Sequence, residues 1–272
     1  MSVPNGTCLP RCRCSLNQAN IDVPSAGAEP TFPLAKKNMA SMNSLRDELN
    51  RMANLQFETP EFERLLSVRF TLPRARFYIK HNAYYNKNRR DCWGFVLGAA
   101  PLDVKKLVWK HEEDELITDK REGEDHYSLV VRQAQMVGVT REEIERSEPI
   151  PGARAAQYAW LHIARNRPWL EAFTSSTMLE RRNNGEIIKG GGLSARIGKR
   201  WVEDLGVSIE KAPSLKVHAV ADVEHADMMW EVFENHAASD EAQRAVLGAA
   251  HDCMEIDRAY RGALADAMLK ID

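Results

Sequence analysis

The chain alternates between helical hydrophobic patterns and short polar breaks. From Ser44 onward, apolar residues recur every three or four positions, as Leu45, Leu49 and Met52 do in the first run. That spacing places them on one face of an α-helix. No stretch alternates between apolar and polar residues as a half-buried strand would. The pattern predicts an all-α fold, with seven to nine helices packed as a bundle.

Capping residues mark several of the helix ends. Asp125 can cap a helix over His126–Val137, and Ser239 precedes a proline-free, alanine-rich stretch, Asp240–Leu269. Asp and Ser at the N-cap accept hydrogen bonds from the first free N–H groups of a helix. Closer to the N-terminus, Leu72–Pro73 predicts a break ahead of a long helix that carries several aromatic residues.

The N-terminal stretch has a different composition. Residues 1–37 hold five of the twelve prolines and show no apolar periodicity. Such a segment buries too little apolar surface to order itself. Cys8, Cys12 and Cys14 lie here, but three thiols without a nearby histidine do not complete a tetrahedral zinc site. We therefore expect a flexible tail over residues 1–38 and one helical-bundle domain over residues 39–272.

Composition excludes some partners. The 272 residues are 44% hydrophobic and 28% charged, with a formal net charge of −2. This charge gives no reason to expect nucleic acid or an anionic membrane as a partner. No run of 18 apolar residues predicts a transmembrane helix, and no apolar core of signal-peptide length opens the chain. We expect a cytoplasmic protein.

The most informative stretch for chemistry is Lys216–Met229. It holds His218, Asp222 and His225 at spacings of four and three, which places all three on one face of a helix. Imidazole and carboxylate groups bind iron, manganese and zinc. The stripe could therefore offer three ligands to a metal. The alternative is a polar helix face that carries two histidines by chance.

A metal site here needs partners from other helices. Glu112, Glu115 and Asp119 share a stripe of an acidic helix, and His126 opens the next helix. The alternative for this acidic stripe is a solvated face. Glu180 ends a mostly apolar helix, where the alternative is a surface residue beside two arginines.

Four stretches, taken in order, resemble the heme-oxygenase-like diiron oxidases and oxygenases, relatives of the pyrroloquinoline quinone synthase and thiaminase folds. The resemblance extends from about Leu55 to Glu234. The stretches are Thr59-Pro-Glu-Phe-Glu-Arg-Leu-Leu with Thr71-Leu-Pro-Arg-Ala-Arg-Phe; the acidic helix followed by His126-Tyr-Ser-Leu; Val137 to Gly152; and His218-Ala-Val-Ala-Asp-Val-Glu-His225.

The resemblance implies a heme-oxygenase-like bundle that binds two Fe(II) ions, with manganese as the alternative metal and dioxygen as cosubstrate. Glu112 and Asp119 remain alternatives to Glu115, and Glu186 in a glycine-rich insertion remains an alternative to Glu180. The implied ligands are Glu115, His126, Glu180, His218, Asp222 and His225.

The resulting expectation is a non-heme diiron oxidase or oxygenase. It would oxidise a small carboxylate-bearing metabolite in a biosynthetic pathway, and family habit favours an amino acid. We expect a small-molecule substrate and no nucleic-acid or membrane partner, and leave open a homodimer and an external electron donor. The alternatives are a metal-free oxidase or thiaminase-like hydrolase on the same fold, for which Cys92 and Cys253 offer thiols, and a non-catalytic helical interaction protein.

Overall fold

The computed structural model describes residues 42–272, except for the side chains of residues 219, 222, 224 and 227–229. The predicted tail and its three cysteines lie outside this range. None of the described helices is long and apolar enough to cross a membrane.

Within residues 42–272 the chain forms eleven α-helices and two short 3-10 helices, and no strand. The all-α prediction is confirmed, but a count of seven to nine helices is too low. The helices are α1 (Met42–Leu55), α2 (Pro60–Ser67), α3 (Leu72–Ala99), α4 (Leu102–Leu116), α5 (His126–Met136), α6 (Arg141–Glu145), α7 (Pro151–Asn166), α8 (Trp169–Arg181), α9 (Leu193–Leu205), α10 (Pro213–His236) and α11 (Asp240–Leu269).

The capping predictions hold at two helices that frame the site. Asp125 accepts a hydrogen bond from the Ser128 N–H at the start of α5, and the Ser239 hydroxyl accepts one from the Ala242 N–H at the start of α11. Helix α3, in contrast, begins at Leu72, and no break separates it from Pro73. Proline is tolerated in the first turn of a helix, because the N–H group that it lacks has no partner there.

Helix α8 occupies the middle of the bundle. It packs against α11, α7, α10 and α3, and every residue from Ala172 to Arg181 is buried. A helix buried on all sides belongs to the core of a larger bundle. Helices α4, α5 and α10 pack against one another, and α10 also packs against α8. Polar side chains on these four helices therefore meet inside the protein.

The glycine-rich insertion after α8 is a tight connection to α9. A Cβ atom at Gly192 would lie 2.0 Å from the carbonyl oxygen of Asn183. Only glycine permits this approach of one backbone segment to another. The insertion therefore returns the chain to the bundle close to the end of α8.

Candidate metal centre

Four helices bring histidine and carboxylate side chains together in the interior. Helices α4, α5, α8 and α10 each contribute at least one. The side chains form two groups that share Glu115, and within each group the ligand atoms lie within 4.8 Å of one another. The first group is Glu115, His126 and His218, and the second is His111, Glu115, Glu180 and His225.

Residue spacing on α4 and α10, and a helix cap on α5, determine where these side chains lie on their helices. His111 and Glu115 are four residues apart on α4, and His218 and His225 are seven apart on α10, so each pair shares a helix face. The Asp125 cap fixes the start of α5 and makes His126 its first residue.

In the first group, both nitrogens of His126 face carboxylates. Its Nδ1 lies 2.9 Å from Glu115 Oε1 and its Nε2 lies 3.1 Å from Asp119 Oδ2. The His218 ring stands 4.6 Å away, between centroids, and its Nδ1 lies 2.7 Å from the Ser214 carbonyl oxygen. A carbonyl oxygen only accepts, so Nδ1 of His218 carries the hydrogen and Nε2 keeps its lone pair.

In the second group, two imidazole nitrogens have no hydrogen-bond partner in the described part of the chain. These are Nε2 of His111 and Nδ1 of His225, and both atoms are buried. The opposite nitrogens are occupied: His111 Nδ1 lies 2.9 Å from Glu112 Oε1, and His225 Nε2 lies 3.4 Å from Asp114 Oδ2. His111 Nε2 lies 3.8 Å from Glu180 Oε1.

The protonation states suit metal binding. Burial and the nearby His225 lower the pKa of His111 to about 3. Burial likewise lowers the pKa of His218 to about 4. Burial alone would raise the pKa of Glu115, but Arg90 and His126 hold it well below its usual value. Metals bind neutral imidazole and ionised carboxylate, which are the forms these residues take at neutral pH.

Glu112 and Asp119, the sequence-based alternatives to Glu115, lie behind the imidazoles and outside both groups. Glu112 Oε1 is 2.7 Å from Arg90 Nη1, and burial raises the pKa of this carboxyl to about 8 although Arg90 opposes the shift. Asp119 accepts a 2.7 Å hydrogen bond from the Arg121 N–H. Burial would raise its pKa, but this contact and the His126 hydrogen bond lower it.

The structure locates the other predicted residues as follows. Glu180 is in the second group, whereas Glu186 is exposed in the turn after α8. Asp222 lies on α10 between His218 and His225, and its side chain is outside the description. His111 was missed by sequence reasoning. The signal was present, because His111-x-x-x-Glu115 repeats the four-residue spacing of His218-x-x-x-Asp222.

The donor set fits a metal ion. Buried polar atoms without partners cost free energy, and an ion would satisfy both unpaired imidazole nitrogens. Glu112, Glu115 and Glu180 also bring three carboxylates into one buried region with Arg90. Like charges at this density disfavour ionisation unless cations accompany them. Imidazole nitrogen and carboxylate oxygen together are typical ligands of non-heme iron.

A cavity of about 320 Å³ reaches the first group. Glu115 and His126 form part of its wall, and Lys87, Arg90 and Arg141 line it as well. A ligand in this cavity would contact the candidate metal centre and a positively charged lining at once.

The fold and the site together define a class of protein: helical bundles with a buried cluster of histidines and carboxylates that is able to bind metal. Comparison with known families makes this specific. The chain belongs to the iron-containing redox enzyme family, whose model matches residues 76–258. The family resemblance inferred from the sequence is therefore confirmed at the level of the family. No curated protein sequence is significantly similar to the chain.

Solved structures share the heme-oxygenase-like fold. A domain from Shewanella denitrificans described as having that fold superposes with a TM-score of 0.66 at 14% identity, over 85% of this chain and 93% of the other. A CADD-like protein from Nostoc punctiforme gives 0.65 at 14% identity, over 84% and 98%. A TenA homologue from P. horikoshii gives 0.56 at 16% identity, over 81% and 98%. At these identities the similarity establishes the fold alone.

Proposed function

We propose that the protein is a non-heme diiron oxidase or oxygenase that uses dioxygen to oxidise a small carboxylate-bearing metabolite. The observation that supports this most directly is Glu115, which belongs to two overlapping groups of potential ligands. A shared carboxylate between two ligand sets is what a dinuclear site requires. Membership of an iron-containing redox family agrees with this proposal.

In this proposal the six residues divide between two ions. His126 and His218 would hold the first, Glu180 and His225 would hold the second, and Glu115 belongs to both groups. The family resemblance adds Asp222 as the sixth ligand. Iron, when bound, supplies the electrons that dioxygen needs. The chain supplies neutral imidazoles and an ionised Glu115, and the burial of these groups excludes bulk water from the reacting atoms.

The substrate class follows from the cavity beside the first group. Lys87 and Arg141 are exposed on its lining, and Arg90 lies deeper, 2.9 Å from Glu115. Lysine and arginine bind carboxylates through charge-assisted hydrogen bonds. A substrate held by its carboxylate at the exposed cations would place its remaining atoms toward Glu115 and His126. An amino acid is the substrate we propose first.

A thiaminase-like hydrolase is the main alternative, because a TenA homologue shares the fold. The described cysteines do not favour it. Cys92 and Cys253 are both fully buried, and the Cys253 thiol donates to the Ser175 carbonyl oxygen at 2.9 Å. Burial raises the pKa of Cys253 to about 12. A nucleophilic cysteine needs a lowered pKa and access to substrate. A metal-free oxidase and a non-catalytic interaction protein remain as further alternatives.

Metal counting tests the proposal. Metal-free protein is reconstituted with Fe(II) without oxygen, its iron is counted, and it is then mixed with dioxygen in a stopped-flow spectrometer across a panel of amino and fatty acids. We expect two irons per chain and an optical change that a substrate accelerates. A single tightly bound ion per chain would refute the dinuclear site, and no tightly bound iron or manganese would refute the whole proposal and favour the metal-free alternatives.

A further inference from the structure

We infer that His111 is an additional protein ligand of the second metal ion, beside Glu180 and His225, and that Glu112 and Arg90 orient it. The inference rests on the proposed function and extends it. The set implied by family resemblance does not include His111, so the second ion would receive one more imidazole than that set provides.

The position of Nε2 is the first observation. His111 is 0% exposed, and its Nε2 has no hydrogen-bond partner among the described residues. That atom lies 3.8 Å from Glu180 Oε1, and the ligand atoms of His111, Glu115, Glu180 and His225 all lie within 4.8 Å of one another. An unsatisfied nitrogen in a dry interior is costly, and a bound cation would remove that cost.

The second observation is the support behind the ring. Glu112 Oε1 lies 2.7 Å from Arg90 Nη1 and 2.9 Å from His111 Nδ1. Because this oxygen accepts from the Arg90 N–H, a proton on the Glu112 carboxyl lies on Oε2, and the His111 Nδ1–H can donate to Oε1. The lone pair is then on Nε2 and points at the second group. A carboxylate behind an imidazole is the usual way in which proteins orient a histidine ligand.

The ring is also held by packing. Its centroid lies 4.8 Å from that of Trp93 and 4.4 Å from that of His225. Packing alone could account for a buried aromatic ring, but it does not account for the unpaired nitrogen. His81 shows the difference. It is also buried, yet its Nδ1 lies 2.9 Å from the Phe77 carbonyl oxygen and its Nε2 accepts from the Ile150 N–H at 3.1 Å.

His111 would contribute a neutral nitrogen donor to the second ion. A second imidazole would raise the ligand number of the second ion without adding negative charge to a region that already holds several carboxylates. Neutral nitrogen donors stabilise Fe(II) relative to carboxylate-only sets. The two ions would then differ in their surroundings, since Glu180 and His111 serve only the second.

The test uses shape-matched variants of the full chain. His111→Phe keeps the ring against Trp93 and removes Nε2, and His81→Phe is the matched control at a buried histidine outside the site. We expect two Fe(II) ions per chain in the wild type and in the control, and one in His111→Phe. Glu112→Gln, which weakens the support, should bind the second ion about 10- to 100-fold more weakly.

Spectroscopy of the wild type makes the test independent of how the variants fold. Pulsed EPR of the one-electron-reduced iron pair should show nitrogen couplings from four histidines, where a six-ligand set without His111 gives three. Two tightly bound ions in His111→Phe, or couplings from only three histidines, would overturn the inference and leave the proposed function intact. A wild type without metal would overturn both.

Discussion

Replacing Arg90 by methionine tests how the candidate metal centre tolerates its carboxylates. Arg90 Nη1 lies 2.7 Å from Glu112 and 2.9 Å from Glu115, and the three side chains are 14%, 6% and 3% exposed. Methionine keeps much of the volume of the side chain and removes the charge. The variant therefore leaves the ionised Glu115 carboxylate and the neighbouring Glu112 carboxyl group buried without the cation that contacts both.

The size of the effect follows from this burial. Removing one partner of a buried ion pair costs about 3–5 kcal/mol. For a domain of this length, 1 kcal/mol shifts the Tm by about 2–4 °C. We therefore expect metal-free Arg90→Met to melt about 6–20 °C below the metal-free wild type. Bound divalent ions would supply positive charge to the same carboxylates, so the deficit should shrink when metal is present.

Thermal unfolding followed by circular dichroism, with and without Mn(II), measures both quantities. Arg132→Met is the matched control, because Arg132 pairs with Glu122 and Glu124 at distances of 2.6 and 3.2 Å while its own side chain is 41% exposed. Exposed pairs contribute about 0–1 kcal/mol. Equal losses in the two metal-free variants would contradict the buried-charge argument. A deficit in Arg90→Met that metal does not reduce would contradict the link to the metal site.

Three further predictions concern the stripe, the tail and pH. On α10, His218→Ala, Asp222→Ala and His225→Ala should each lose metal while keeping their helical content, whereas Glu224→Ala should keep its metal. Equal metal content in all four variants would exclude the stripe as a ligand set. A chain that starts at Met39 should remain soluble and keep its metal content, and loss of soluble protein on truncation would show that the domain needs its tail. For metal-free protein, the pKa of His111 is about 3 when folded and about 6.5 when unfolded. Between these values the unfolded chain binds a proton that the folded chain excludes, so stability falls as pH decreases through that range, by up to about 1.4 kcal/mol per pH unit. The free energy of unfolding, measured by urea denaturation at several pH values, should depend less steeply on pH in His111→Phe than in the wild type. An unchanged pH dependence would show that another group is responsible for it.

Much of the fold could be predicted because helix boundaries are encoded locally. The Ser239 cap and the proline-free stretch after it fix α11 to the residue. Even helix α6, which has only 5 residues, carries a local signal: a capping box in which the Thr140 hydroxyl accepts from the Glu143 N–H and the Glu143 carboxylate accepts from the Thr140 N–H. The total of seven to nine helices was nevertheless too low, although local signals for the individual segments, α6 included, were present.

The arrangement between helices was harder to predict. The face shared by His218 and His225 can be read from their spacing alone. Which carboxylate of α4 faces them depends on how α4 rotates against α5 and α10, and Glu112 and Glu115 belong to different rotations. The predicted helical stripe also included Asp119, but α4 ends at Leu116 and Asp119 lies beyond it. Family resemblance favoured Glu115, and the structure brings that residue into both groups.

The first half of α4 buries Val104 and Val108 in the usual way, but its C-terminal half reverses the usual hydrophobic pattern. It buries His111, Glu112 and Glu115, while Trp109 is 71% exposed and Leu116 is 51% exposed. A helix in a soluble bundle normally buries its apolar side and exposes its charges. Because sequence reasoning follows that rule, a solvated face was the alternative for the acidic stripe, and His111 was not considered as a ligand.

The reversal is itself an argument about function. Exposing a tryptophan and burying carboxylates both disfavour folding. The exposed side and the buried side of α4 therefore both lower the free energy of unfolding of the bundle. Departures from the normal pattern are expected where function requires them. Arg90 accounts for part of the buried negative charge by direct contact with Glu112 and Glu115. Cations bound between the helices would compensate the charge of Glu180 and satisfy the unpaired nitrogens of His111 and His225. The same ions would thus explain the orientation of α4 and provide the redox chemistry we propose.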